Sequence, residues 1–218
     1  MTPEGVLHQT QQAAQALLHA GKELFAARGF DGATVKDIAD RASVNVSLVS
    51  YYFGGKEGLY REVLESFGRK RLAISERLLA TTSLSDGSTE SHDNQQLRLR
   101  LFVEDFLECH LRDPEICTIL QRDLETEHPD CMAVFMSTFM VSYRNLEEFI
   151  RAMQSRGMIR EGADAEFLAF SIFSSLMNGI RLDALRLKLS GQTLTDPAFR
   201  KHFTDQLIEQ FFKGCRPA

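Results

Sequence analysis

The stretch Thr34–Lys56, TVKDIADRASVNVSLVSYYFGGK, constrains this chain more than any other. Thr34 is an N-cap residue, and Val35, Ile38, Ala39 and Ala42 follow at helical spacing. Ser43 and Val44 interrupt the pattern. Asn45 reads as a second N-cap, and Val49, Tyr52 and Phe53 set a second apolar face at spacings of three and four. Gly54 and Gly55 then end the helix, because glycine adopts the left-handed cap without a Cβ clash. Two short helices joined by a tight turn make a helix-turn-helix, in which the second helix is short enough to enter a major groove and the first braces it.

With the helix before it, this segment resembles the DNA-binding domain of the TetR family of bacterial transcriptional regulators. The resemblance rests on AGKELFAARGFDGATVKDIADRASV and VSYYFGGKEGLY, in which Leu24, Phe25, Gly29, Phe30, Thr34, Val35, Ile38, Ala39, Val44, Tyr51, Tyr52, Phe53, Lys56, Glu57 and Leu59 hold family positions in register. It covers roughly the first quarter of the chain; the rest matches only in helical character. There are two departures: Ser43 stands where the family has Gly in the turn, and Ser50 where it has Tyr. The resemblance implies that Val46, Ser47, Leu48, Ser50 and Tyr51 face the groove, with Thr34, Lys36, Tyr52 and Lys56 toward the DNA backbone. The second helix, Asn45 to Phe53, contains no Lys or Arg, so the bidentate arginine–guanine contact is not available from it.

The implied architecture is all-α and TetR-like. About nine helices are expected in 218 residues, with a three-helix head over 1–55 and a larger helical ligand-binding and dimerisation domain over 56–218. Charge agrees with that division. Residues 1–71 carry nine Lys/Arg against eight Asp/Glu, whereas 72–218 carry sixteen against twenty-two. The acidic surplus therefore belongs to the second part, and DNA affinity has to lean on dimerisation and backbone contacts. Hydrophobic residues make up 44%, enough for a core, and no apolar run is long enough to span a bilayer. The N-terminus MTPEGVLHQTQQ lacks a basic-then-apolar leader, so a cytoplasmic location without membrane partners is expected. Cys109, Cys117, Cys131 and Cys215 are scattered and read as reduced thiols.

Along the chain, residues 1–10 read as a frayed arm and Gln11 to Arg28 as the first helix, with Ala14, Leu17, Leu18, Gly21, Leu24 and Phe25 on one face. A fourth helix runs from Lys56 to about Thr81, with Phe67, Leu72 and Leu79 inward; its first turn offers a phosphate site to which Lys56 adds charge. Residues 81–93 read as a polar loop. A helix over 94–112 is expected to point Leu97, Leu101, Phe102, Phe106 and Leu107 inward. Asp113-Pro114 starts another, and His128-Pro129 breaks the chain before one long helix over 130–156. Two helices, over 164–189 and 197–213, close it. Ser171, Ser175 and Gly179 form a small-residue stripe, and Phe199, Phe203, Leu207 and Phe211 an apolar one. These seven are the expected homodimer interface, since in TetR-like proteins the last two helices pair with their copies.

No metalloprotease, P-loop or nucleophile-elbow motif is present, so the chain is read as a non-enzyme needing no cofactor or metal. The family implies a pocket for a small-molecule effector, expected among Phe102, Phe106, His110, Ile116, Leu120, Phe135, Phe139, Tyr143, Met177, Asn178 and Arg181. The bland alternative is that a Phe/Met stripe is simply core; the polar members are the more telling, because they need partners if buried. The expected function is a repressor that binds palindromic double-stranded operator DNA as a homodimer and is released by a mostly apolar ligand. Two rivals remain: a C-terminal domain that docks a protein partner, or a small helical metal-binding enzyme using His110 with Glu108 or Cys109.

Overall fold

The computed structural model describes residues 3–79 and 92–215. Its elements are α1 (Pro3–Gly32), α2 (Val35–Ala42), α3 (Ser47–Phe53), α4 (Lys56–Leu79), α5 (His92–Arg112), α6 (Pro114–Glu125), α7 (Pro129–Val134), a π-helical turn (Phe135–Phe139), α8 (Met140–Ser155), α9 (Ala165–Arg181), α10 (Asp183–Ser190) and α11 (Pro197–Gly214). No strand occurs among the described residues. The polar loop expected over 81–93 lies outside the described residues apart from His92 and Asp93, which belong to α5. In place of a frayed arm, α1 starts at Pro3, and Gly29 leaves helical geometry at φ 78°, where the sequence pattern ends the first helix.

The chain packs as two units: residues 1–69 with 113–137, and residues 70–112 with 138–218. The sequence pattern places a boundary at 55/56. The first unit instead keeps the opening turns of α4 and takes in α6 and α7, because specific bonds tie these elements to one another and to α1. Lys22 Nζ meets Asp113 at 2.6 Å, Tyr60 donates to Asp123, Arg61 Nη2 meets Asp130 at 2.7 Å, and Arg122 reaches the carbonyl oxygens of Phe25 and Ala26 at 3.0 and 3.3 Å. Leu17, Phe25, Ile38, Val49, Leu59, Tyr60 and Leu64 fill the core of this unit.

The second unit is built around Leu99, Phe102, Val103, Phe106 and Leu107 of α5, Leu146, Phe149 and Ile150 of α8, Ile172 and Leu176 of α9, and Ile208, Phe211 and Phe212 of α11. Three expectations are corrected here. Leu97 and Leu101 are about half exposed (51% and 49%), because Leu99 and Val103 take the inner face of α5. The single helix over 130–156 is interrupted by the π-helical turn. The helix over 164–189 breaks at Leu182, where Asp183 accepts the Leu194 N–H at 2.8 Å and the Thr193 hydroxyl at 2.6 Å and starts a separate α10.

Candidate nucleic-acid interface

The turn between α2 and α3 is fixed by caps. Thr34 Oγ1 accepts the Asp37 N–H at 3.1 Å and starts α2. Ser43 adopts the left-handed conformation (φ 56°), with its N–H on Asp40 O and the Val44 N–H on Ala39 O, both at 3.1 Å. That pair of bonds is the helix ending usually closed by glycine. Asn45 is the expected cap of the next helix, and its Oδ1 does accept the Ser47 N–H at 2.9 Å, although regular helix begins at Ser47. Gly54 and Gly55, at φ 72° and 132°, terminate α3 as anticipated. Gly58 lets α4 follow closely: a Cβ there would lie 1.7 Å from Phe53 O.

Inside the unit, Ile38 and Val49 are fully buried, so α2 and α3 are anchored from beneath. The opposite side of α3 is open. Val46, Ser47, Ser50 and Tyr51 are exposed, Tyr51 by 76%, while Leu48 is half-buried. Thr34 and Lys36 are exposed, and Tyr52 is half-buried with its ring edge against Tyr51, centroids 5.0 Å apart. No acidic side chain lies between Arg41 and Lys56. The nearby arginines have acidic neighbours: Arg28 pairs with Asp37 at 3.0 Å and Arg41 with Glu23 at 2.6 Å. The Arg41 hydrogen bond also holds the Glu23 carboxyl below its ordinary pKa.

Lys56 is placed differently from the solvent-facing lysine of a simple phosphate site. Its ammonium donates to Phe30 O at 3.0 Å and lies 4.3 Å from the Phe30 ring centroid. It therefore secures the carbonyl end of α1, and one of its three N–H donors is engaged there. Arg122, missed by the sequence reading, does the same one turn earlier and brackets Asp123 with contacts of 2.6 and 3.2 Å. Tyr60 closes the group through its bond to Asp123. Burial, followed by that bond, pushes the Tyr60 hydroxyl above its ordinary pKa. Burial and then the Asp123 charge push the Cys131 thiol up to about 11.

The residues expected around an effector are divided between the two units. Leu120 and Phe135 belong to the first unit; Phe102, Phe106, His110, Phe139, Tyr143, Met177, Asn178 and Arg181 belong to the second. Within the second, Phe106, His110 and Phe139 are buried. His110 stacks on Phe106 with centroids 4.2 Å apart, and its Nδ1 lies 2.8 Å from Phe106 O. Arg71, absent from the sequence reading, puts its guanidinium 4.7, 4.6 and 4.5 Å from the ring centroids of Phe106, Phe139 and Phe173. Tyr143 donates to Glu166 O at 3.2 Å, and Met177 is half-buried. Asn178 and Arg181 bond each other at 3.2 Å, in a contact open to solvent, so their polarity is satisfied at the surface. Glu108, a suggested metal partner of His110, pairs instead with Arg112. Among the described residues no group of three His, Cys, Asp or Glu is arranged to hold a metal ion.

The expected dimer stripes divide. Gly179 is buried under Phe203 of α11, whose Cζ would lie 3.0 Å from a Cβ there, and Phe211 is 8% exposed. Phe203 packs, partly buried, against the core of the unit, as do Phe199 and Leu207. Ser171 and Ser175 lie on α9 beside Phe167 and Phe170, which are 65% and 60% exposed. A groove of about 360 Å³ between α9 and α11 is lined by Phe167, Ser171, Ser175 and Leu207 among others. No described helix is long and apolar enough to cross a membrane.

Comparison with known proteins adds to this geometry. Residues 17–63 match the family model described as bacterial regulatory proteins, tetR family. The chain is 29% identical over 134 residues to the probable HTH-type transcriptional regulator YttP of Bacillus subtilis, covering 62% of this chain and 60% of that protein. It is 43% identical over 68 residues to the HTH-type transcriptional repressor Rv3405c of Mycobacterium tuberculosis, covering 30% of this chain and 36% of that protein. The chain thus aligns with less than two thirds of the length of either relative. Its fold is similar to that of HlyIIR, a hemolysin II transcriptional regulator, with a TM-score of 0.60 at 22% identity over 94% of this chain and 98% of the other.

Proposed function

We propose that this chain, whose residues 17–63 match the family model described as bacterial regulatory proteins, tetR family, is a DNA-binding transcriptional regulator that reads operator DNA with α3. The observation that carries this reading is the outer side of α3: Val46, Ser47, Ser50 and Tyr51 stand exposed on a helix whose inner side is locked by Val49. A rigid short helix with an open polar-apolar face is what major-groove readout requires. Val46 and Leu48 meet thymine methyls, Ser47 and Ser50 bond base edges, and Tyr51, Tyr52, Thr34 and Lys36 reach the backbone. Lys56 contributes from its remaining donors while holding Phe30 O.

The regulator acts as a repressor on a palindromic site. Its homodimer forms through the outer face of α9 with α11, and a mostly apolar effector bound in the second unit releases it. The exposed pair Phe167 and Phe170 beside Ser171 and Ser175 supports the dimer, since contiguous exposed aromatic surface marks an interaction site. The effector acts by its different affinity for DNA-competent and incompetent states, and by linkage operator DNA weakens effector binding by the same factor, typically about 5- to 150-fold. The test is a base-preference measurement. Leu48→Ala should alter the preferred base at one position per half-site, whereas Lys36→Ala should weaken all sequences alike and reduce the salt slope by roughly one per half-site. An unchanged motif in Leu48→Ala would remove α3 from the reading role.

A further inference from the structure

Ser47 is the first residue of α3 and is exposed. Its hydroxyl donates to Asn45 Oδ1 at 2.8 Å, and its backbone N–H donates to the same oxygen at 2.9 Å. The backbone donor settles the orientation of the Asn45 carboxamide, because an N–H needs an acceptor and the amide nitrogen is not one. That oxygen carries no hydrogen, so the hydroxyl must be the donor in the second bond. A serine hydroxyl has one proton. With it committed to Asn45, Ser47 Oγ presents only lone pairs outward.

An unrestrained serine bonds either donors or acceptors on base edges and so discriminates little between them. We propose that Asn45 is a positioning residue that turns Ser47 into an acceptor-only reader, selecting a base with a major-groove amino group, adenine N6 or cytosine N4, over one with a keto group, guanine O6 or thymine O4. The inference rests on the reading of α3 as the groove-entering helix. A keto oxygen approaching Ser47 meets another acceptor. To accommodate it, the hydroxyl must swing away from Asn45 and give up a bond that also organises the start of α3. Val46 and Leu48, on either side, have no polar group to compensate.

The experiment uses the full chain and a duplex selected by the wild-type protein from a random library. The position whose base preference is flattened by Ser47→Ala identifies the contacted base; this substitution keeps the backbone N–H that Asn45 caps. All four base pairs are then placed at that position. The wild type should favour adenine and cytosine on the contacted strand over guanine and thymine by roughly fivefold or more. Asn45→Ala frees the hydroxyl, and the ratio should fall below about twofold while binding persists. Asn45→Asp keeps an oxygen for both donors, so it should retain the ratio although its charge weakens every duplex. A keto preference in the wild type, no position flattened by Ser47→Ala, or an undiminished ratio in a folded Asn45→Ala would each overturn the proposal. Should Asn45→Ala not fold, loss of the ratio in Asn45→Asp overturns it equally. A wild-type protein that enriches no sequence at all refutes the DNA-binding reading itself, and this inference with it.

Discussion

Arg122 reaches, with one side chain, the carboxylate of Asp123 and the carbonyl oxygens of Phe25 and Ala26. Asp123 is 4% exposed, so removing the guanidinium takes the countercharge from a buried carboxylate, leaving it the Tyr60 hydroxyl, and takes a donor from two helix-end carbonyls at once. Arg122→Ala should destabilise the first unit by about 2–4 kcal/mol, below the upper range for a buried pair because a third of the arginine faces solvent. Arg122→Lys should recover only part of this, because a point charge cannot span the same acceptors. Urea denaturation checks both. The same cluster sets an alkaline limit. Cys131 is raised in the folded state to about 11 from an ordinary value near 9. The stability from keeping this thiol neutral is therefore complete below pH 9 and is lost as pH rises toward 11. Tyr60, also raised, adds a loss that begins above about pH 10. The urea midpoint should fall from about pH 9 upward, and Cys131→Ala should fall less steeply over about pH 9–10. Equal slopes would show that the thiol is not held neutral by the fold.

Ser43 sits at φ 56° in a turn whose hydrogen bonds are those of a glycine ending. Ser43→Gly should relieve the left-handed strain and, after the added freedom of the unfolded chain, stabilise by about 0.5–1 kcal/mol. A melting temperature that falls instead would mean the Ser43 side chain contributes more than its backbone loses. Such elements were legible in the sequence because their signals are local: Thr34, Gly54, Gly55, Pro114 and Pro197 each mark an end within one turn of where it occurs. The π-helical turn and the break at Leu182 carry no proline or glycine, and long-range bonds such as Asp183 to Leu194 hold the break in place. In α5, Leu97, Leu99 and Leu101 alternate, so the helical period does not choose a face; packing puts Leu99 inward. In the candidate site, the exposure of Val46, Ser47, Ser50 and Tyr51 follows from the period of α3. The destination of Lys56 does not, because Phe30 O, its acceptor, is 26 residues away.

For the whole molecule, the structure changes which substitutions test self-association. Phe211 and the Gly179–Phe203 contact lie within the second unit, so charging Phe203 or Phe211 would disturb its packing before it disturbed any partner. Phe167→Glu and Phe170→Glu are the cleaner changes, because both rings are mostly in solvent. Each should yield monomers by light scattering with unaltered helical circular dichroism; dimers in both variants would move the interface elsewhere. On the proposed reading dimerisation matters, because residues 1–71 are close to neutral in charge and α3 has no arginine or lysine, so DNA affinity would rest on two copies binding together. Two copies on one duplex must present their reading helices about 34–36 Å apart or a multiple of it. The most direct measurement of the central claim is therefore selection of genomic fragments by the purified full-length protein, followed by footprinting. The account predicts one enriched motif with two inverted half-sites whose centres are one or more helical turns apart, changed at one position per half-site by Leu48→Ala and bound more weakly, without a change of sequence, by Tyr51→Ala. Enrichment of no motif, or of one that Leu48→Ala leaves unchanged, would contradict it.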